Sequence, residues 1–179
     1  MTETSRTYGG ALYELARDEG VSEDILRQLH MCVGLFKENP ELARLLSLPS
    51  VPKAERCGVV DTCFKGQVHA YLLSFMKILV ENGTIRELPG CEEAYRLRYN
   101  EDNGILAVSA VSAAPLTEAL TEKLRAKLAA TFGKTIELSV TVDPQVLGGM
   151  RLELAGKRYD GTVRTRLDEI ERRLRDTVL

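Results

Sequence analysis

Over the first hundred residues apolar side chains recur every three or four positions, the spacing that lines them up on one stripe of a helix. Six segments show it. The first is predicted to begin near Arg6, with Tyr8, Ala11, Leu12 and Leu15 in phase and Asp18 to Gly20 ending it. Gly9 and Gly10 each disfavour a helix interior by up to ~1 kcal/mol against alanine, so a frayed first turn or a later start is expected there. Ser22, followed by Glu23 and Asp24, reads as the cap of a second helix with Ile25, Leu29, Cys32 and Phe36 inward. Asn39-Pro40-Glu41 has the order of a cap, a first-turn proline and a first-turn acid, and opens a short third helix with Leu42, Leu45 and Leu46 inward. A fourth runs from about Pro52 to Phe64 with Cys57, Val60 and Phe64 inward. The fifth, Val68 to Val80, is apolar on almost every side, as a central helix covered by its neighbours would be, and Gly83 after Asn82 stops it. The sixth spans Thr84 to Glu101, with a kink or late start expected at Pro89-Gly90.

Beyond Asn103-Gly104 the period changes. Ile105 to Val111 is a β-rich run, and Pro115 and Thr117 open a helix with Leu120, Leu124 and Leu128 inward, stopped by Gly133. Strict alternation follows at Ile136, Leu138, Val140 and Val142, and again at Met150, Leu152 and Leu154, the mark of strands with one buried face. Asp143-Pro144 ends the first of these, and Gly148-Gly149 suit the return to the sheet. Gly156-Lys157 reads as a two-residue hairpin turn with glycine at its first central position. Asp160-Gly161-Thr162 makes a further turn, with Thr162 capping a last helix that carries Val163, Leu167, Ile170 and Leu174 on one stripe. The fold class expected is therefore α+β: a six-helix bundle over residues 1–104, then a small α+β domain over 105–179.

Composition narrows the function. With 44% hydrophobic and 28% charged residues in 179, the chain is an ordinary soluble folded protein, and a net charge of −2 argues against a nucleic-acid binder. Cys32, Cys57, Cys63 and Cys91 have neither paired spacing nor a dense framework and read as reduced thiols. Met1 to Thr7 is polar and mixed in charge, so no leader is expected. The run from Ala70 to Val80 is broken by Ser74 and Lys77 and falls far below the ~20 residues of a membrane span, so membrane association is expected only through partners.

No catalytic, cofactor-binding or metal-binding residue emerges. His30-x-Cys32 has no second pair to complete four ligands, and Cys57 and Cys63 face different sides of one helix. His30 and His69 have no nucleophile or carboxylate at a recognisable spacing. A phosphate loop ending on Gly156-Lys157 fails twice, because Arg151 stands where its first glycine belongs and Arg158 where its hydroxyl residue belongs. The arginines of the last helix are interleaved with Asp168, Glu169, Glu171 and Asp176, the pattern of a solvated face. Tyr8, Ala11 and Leu15, with Phe75 and Ile78, read either as ordinary core or as the walls of a groove.

Taken in order, Val142-Asp143-Pro144, two residues, Leu147-Gly148-Gly149, a strand, Gly156-Lys157 and Asp160-Gly161-Thr162 resemble the C-terminal signature of the delta subunit of F-type ATP synthases, the family of the mitochondrial oligomycin-sensitivity-conferring protein. The run from Arg6 to Ala16, Asn39-Pro40-Glu41-Leu42 and Val80-Glu81-Asn82-Gly83 resemble its other landmarks. Thr162 stands where serine is commoner, and Gly9-Gly10 where Ala-Lys is usual. The resemblance implies a non-catalytic stator connector of a proton-driven synthase, without cofactor. It implies that the N-terminal bundle binds the N-terminal helix of the alpha subunit in a groove between the first and fifth helices, walled by Tyr8, Ala11, Leu15, Phe75 and Ile78. It also implies that the C-terminal domain meets the b subunits of the peripheral stalk, with Asp143, Gly148, Gly149, Asp160 and Gly161 as structural residues. The expected location is the cytoplasmic side of a bacterial plasma membrane. The rival reading is a small enzyme or nucleic-acid adaptor with a cleft between bundle and α+β unit, which charge balance and the missing ligand spacings disfavour.

Overall fold

The computed structural model describes residues 1–144, 146, 149–154 and 157–160, the last four by backbone alone. The expectations for Gly148, Gly161, Thr162 and the final helix lie outside the described residues. The chain is α+β and divides into two compact units, Met1–Tyr99 and Asn100–Leu179.

In the first unit α1 (Glu3–Asp18) begins earlier than its apolar stripe alone predicts, because Thr2 caps it. The Thr2 hydroxyl accepts from the Ser5 N–H at 3.1 Å, Ser5 Oγ accepts from the Thr2 N–H at 3.0 Å, and the Thr2 hydroxyl donates to the Glu87 carboxylate at 2.6 Å. The expected fraying at Gly9-Gly10 does not occur, and both glycines are buried. A Cβ on Gly9 would stand 2.3 Å from the Cys91 carbonyl oxygen and 2.9 Å from Ala94 Cβ, and one on Gly90 would stand 2.7 Å from Ser5 Oγ. Helix α1 therefore crosses α6 (Leu88–Asp102) at near backbone contact, and that packing outweighs the poor helix propensity of glycine.

Helix α2 (Ser22–Glu38) has Ile25, Leu29, Cys32 and Phe36 inward as its stripe predicts, together with Val33. Ser22 is not its cap. It is already helical, no side chain caps the preceding Val21, and the Ser22 carbonyl accepts instead from the Tyr95 hydroxyl at 2.8 Å. Asn39 likewise does not cap α3 (Pro40–Leu46): its amide donates back to the Leu35 carbonyl at 3.0 Å and so finishes α2. Within α3, Leu46 is buried and Leu42 packs at the edge of the core, whereas Leu45, a turn of about 100° from Leu46, faces outward. In α4 (Lys53–Phe64), Val60 and Phe64 are buried and Cys57 is half-buried.

Helix α5 (Ala70–Glu81) is not covered on all sides: Leu72, Phe75, Met76, Leu79 and Val80 are buried, but Ile78 is 45% exposed. The late start expected at Pro89-Gly90 is present. A 3-10 turn, Ile85–Glu87, precedes α6, and Pro89 falls in the first turn of that helix, where its missing N–H forfeits no bond. One apolar core draws on every helix of the unit, with Leu12, Leu29, Leu46, Val60, Leu72 and Tyr95 as one contributor from each.

The second unit holds β1 (Ile105–Ser112), α7 (Glu118–Phe132), β2 (Thr135–Val142), β3 (Met150–Leu154) and β4 (Lys157–Asp160), in the sheet order β2-β1-β3-β4. Strand β1 is central, parallel to β2 through the α7 crossover and antiparallel to β3. Val108, Leu128, Ile136 and Leu154 form the core between helix and sheet. The Thr117 hydroxyl accepts from the Leu120 N–H at 3.4 Å, and Gly133, at φ 64°, ends α7. Leu128 is inward and Leu124 packs beside it, but Leu120 is exposed, and Val140 and Val142 at the far end of β2 are exposed as well. Alternation identifies the face; among the described residues, α7 covers only part of it. Strands β3 and β4 pair antiparallel with Leu154 opposite Lys157, so Lys157 is a strand residue and not the second turn residue expected of Gly156-Lys157; Gly156 lies outside the described residues.

Candidate functional site

Helix α1 is amphipathic, with Leu12, Tyr13 and Ala16 facing the core and a second apolar stripe, Tyr8, Ala11 and Leu15, beside it. That second stripe is where sequence alone leaves core and groove undecided. Helices α1 and α5 pack against each other, and the Tyr8 hydroxyl accepts from the Asn82 amide at 3.1 Å, which fastens α1 to the end of α5. The five residues then part company. Leu15 is 43% exposed and Ile78 45%, Ala11 is exposed, Tyr8 is half-buried at the margin of the core, and Phe75 is in the core itself. Ala11, Leu15 and Ile78 are thus exposed apolar residues on two helices that pack against each other, while Phe75 belongs to the core.

Ion pairs tie both helices to their neighbours. Lys77 pairs with Asp61 of α4 at 2.6 Å, and Arg98 of α6 pairs with Glu14 of α1 at 3.1 Å. Sequence reading missed Arg56. Its guanidinium is buried and donates to the carbonyls of Leu46 and Val80, both at 3.0 Å, and of Val51 at 3.1 Å. It thereby gathers chain ends from α3 and α5, where the negative pole of each helix favours a cation. A signal existed: Arg56 lies four and eight residues before Val60 and Phe64, in phase with the buried stripe of α4.

The glycine-rich signature is a matter of chain path where it is described. The Asp143 N–H donates to the Ser112 carbonyl at 2.9 Å and the Asp143 carbonyl accepts from Val146 at 3.1 Å, closing a turn that buries Val146. Gly149, at φ 88°, takes a conformation that strongly favours glycine on the way into β3. Asp160 ends β4 opposite Arg151.

The titratable candidates serve packing. His69 caps α5, its Nδ1 accepting from the Tyr71 N–H at 3.3 Å. His30, which has no carboxylate near it in sequence, meets buried Glu92 of α6 at 2.7 Å. Burial pushes the Cys32 thiol up to about 11 and the Cys91 thiol up to about 12, the latter with help from Glu87, so both stay protonated and unreactive near neutrality. Among the described residues no three His, Cys, Asp or Glu side chains gather to hold a metal, and no helix is long and apolar enough to cross a membrane.

Exposed apolar side chains on two packed helices form the kind of surface that another protein can cover. Comparison with known proteins identifies the family. Residues 4–174 match the family model described as ATP synthase delta (OSCP) subunit. The chain is 29% identical over 172 residues to ATP synthase subunit delta of Clostridioides difficile, spanning 96% of this chain and 95% of that one. It is also 29% identical over 170 residues to the same subunit of Symbiobacterium thermophilum, spanning 95% and 91%. Its fold is similar to that of a chain in the Toxoplasma gondii mitochondrial ATP synthase hexamer, with a TM-score of 0.77 at 18% identity over 97% of this chain and 98% of that one. The chain belongs to the ATP synthase delta (OSCP) subunit family, and so is a structural subunit and not the catalytic one.

Proposed function

We propose that this protein joins the catalytic head of an F-type ATP synthase to its peripheral stalk, so that the head stays fixed while the rotor turns. Family membership carries the connector role, and the exposure of Ala11, Leu15 and Ile78 along neighbouring helices supports a particular way of gripping the head. Residues 1–104 act as a six-helix bundle whose α1 and α5 take the amphipathic N-terminal helix of an alpha subunit, recognised by apolar anchors at helical spacing. Residues 105–179 form the domain that meets the b subunits of the stalk. Bacterial relatives favour the cytoplasmic face of a bacterial plasma membrane, which the subunit reaches only through the complex.

Magnitudes make a non-covalent grip sufficient. A proton falling through ~100 mV releases about 2.3 kcal/mol. A nanomolar contact is worth about 12 kcal/mol, so a helix seated in an apolar groove withstands several such steps. The test is amide exchange with and without a peptide copying the alpha-subunit N-terminus. Protection is expected across residues 8–15 and 75–82; an unchanged exchange pattern in a correctly folded chain would overturn the groove.

A further inference from the structure

We propose that the helical unit holds a second binding site, a cleft between α2, α3 and the start of α6, that takes a single-chain amphiphile with an anionic head, of the fatty-carboxylate class. The cleft has a volume of about 460 Å³, inside the roughly 300–1,000 Å³ range of small-molecule sites. Its floor is apolar, formed by Val33, Phe36, Ile85 and Leu88, all of which belong to the main core. Around the mouth stand Lys37, Arg44 and Arg86 against one carboxylate, Glu41. In a chain of net charge −2 this is a local excess of cations over an apolar hollow, and all three cations are exposed. None of them is ion-paired among the described residues.

The shape decides between a small molecule and a protein partner. Each wall is a single helical turn: residues 33–37 of α2, 40–44 of α3 and 85–89 of the 3-10 turn and α6. A turn rises about 5.4 Å, whereas a docked helix needs a trough that meets anchors over several turns. The exposed apolar positions of α1 alone, Ala11 and Leu15 beside half-buried Tyr8, extend over about two turns, twice the extent of any wall of the cleft. Pro40 and Pro89 also line the cleft, and each stands in the first turn of its helix, where a fixed φ keeps the wall in place before anything binds. A preformed apolar hollow rimmed by cations selects a ligand with one apolar chain and one negative end, and excludes the same chain with a positive end.

The cleft is independent of the α1–α5 groove, so either can fail without the other. The full chain is titrated with dodecanoate while its amide shifts are followed, with dodecyltrimethylammonium as the control of opposite charge. Dodecanoate is expected to produce saturable shifts at residues 33–44 and 85–89 and none at 8–15 or 75–82. The double variant R44Q/R86Q, altered only at exposed positions, is expected to weaken binding at least fivefold with an unchanged urea midpoint. Ala43→Trp, which fills the hollow, is expected to abolish it; should that variant misfold, the double variant decides alone. Equal binding of the cationic amphiphile, non-saturating shifts spread over every exposed apolar side chain, or occupancy of the cleft by an acidic helical peptide in place of dodecanoate would each overturn the proposal.

Discussion

Gly9 and Gly10 are neighbours in α1, yet they answer to different constraints. Gly9 faces the α6 backbone, with no room for a methyl group before the Cys91 carbonyl, whereas a Cβ on Gly10 would first meet the end of the Arg98 side chain at 3.5 Å, an ordinary van der Waals distance. Gly9→Ala is therefore expected to destabilise the chain by about 1–3 kcal/mol through overpacking, despite its better helix propensity. Gly10→Ala is expected to stabilise it by up to ~1 kcal/mol. Urea unfolding of the two variants side by side measures the difference in sign. The buried thiols of Cys32 and Cys91 give a second residue-level expectation. Both are raised from an ordinary value of 9.0, to about 11 and about 12. The unfolded chain thus releases these protons first, and stability that is whole below pH 9 should drain away as pH rises toward 11 and 12. Urea midpoints measured from pH 8 upward should fall, and should fall less steeply in a Cys32→Ala, Cys91→Ala chain.

At the scale of elements, the proposed groove asks α1 and α5 to satisfy two demands with different side chains. Leu15→Asp and Ile78→Asp change exposed positions and should leave stability within about 0.5 kcal/mol. Both should weaken binding of the alpha-subunit peptide tenfold or more, a loss of at least ~1.4 kcal/mol readable by calorimetry. Phe75→Ala should instead lose about 3–5 kcal/mol of folding stability, because Phe75 is 7% exposed and belongs to the core. This division also shows what was legible in the chain beforehand. The helical stripes are local, so Ile25, Leu29, Val60 and Leu128 could be placed inward from spacing alone. Helix ends were less readable: Ser22 has the chemistry of a cap but is already the first helical residue of α2, and Asn39 turns its amide back to the Leu35 carbonyl. The missed features all span long stretches of sequence: Arg56 on Leu46 and Val80, His30 on Glu92, and Gly9 against Cys91. No local period encodes which backbone comes close enough to require a glycine.

For the whole molecule, the two units are built on separate apolar cores. Among the described residues the helical unit buries twenty apolar side chains in one cluster, and the sheet unit four. Amides of β1 and β2 are expected to lose exchange protection at lower urea than those of α2 and α5, and a single concerted loss would show that the units unfold together. The period change at Asn103-Gly104 was readable, but how little of β2 the α7 helix shelters was not, because coverage depends on where a helix ends over a sheet. The crossing of α1 and α6 bears on what a connector must do. Where Gly9 meets the Cys91 carbonyl the main chains face each other with no side chain between them, and where Gly90 meets Ser5 only a serine side chain separates them. Such a joint has nothing soft in it to yield, so a tug on the first helix passes at once to the sixth, the helix along which the chain leaves the unit. A strut made this way answers a repeated twist by stiffness, and the give in the stator has to be found in some other part.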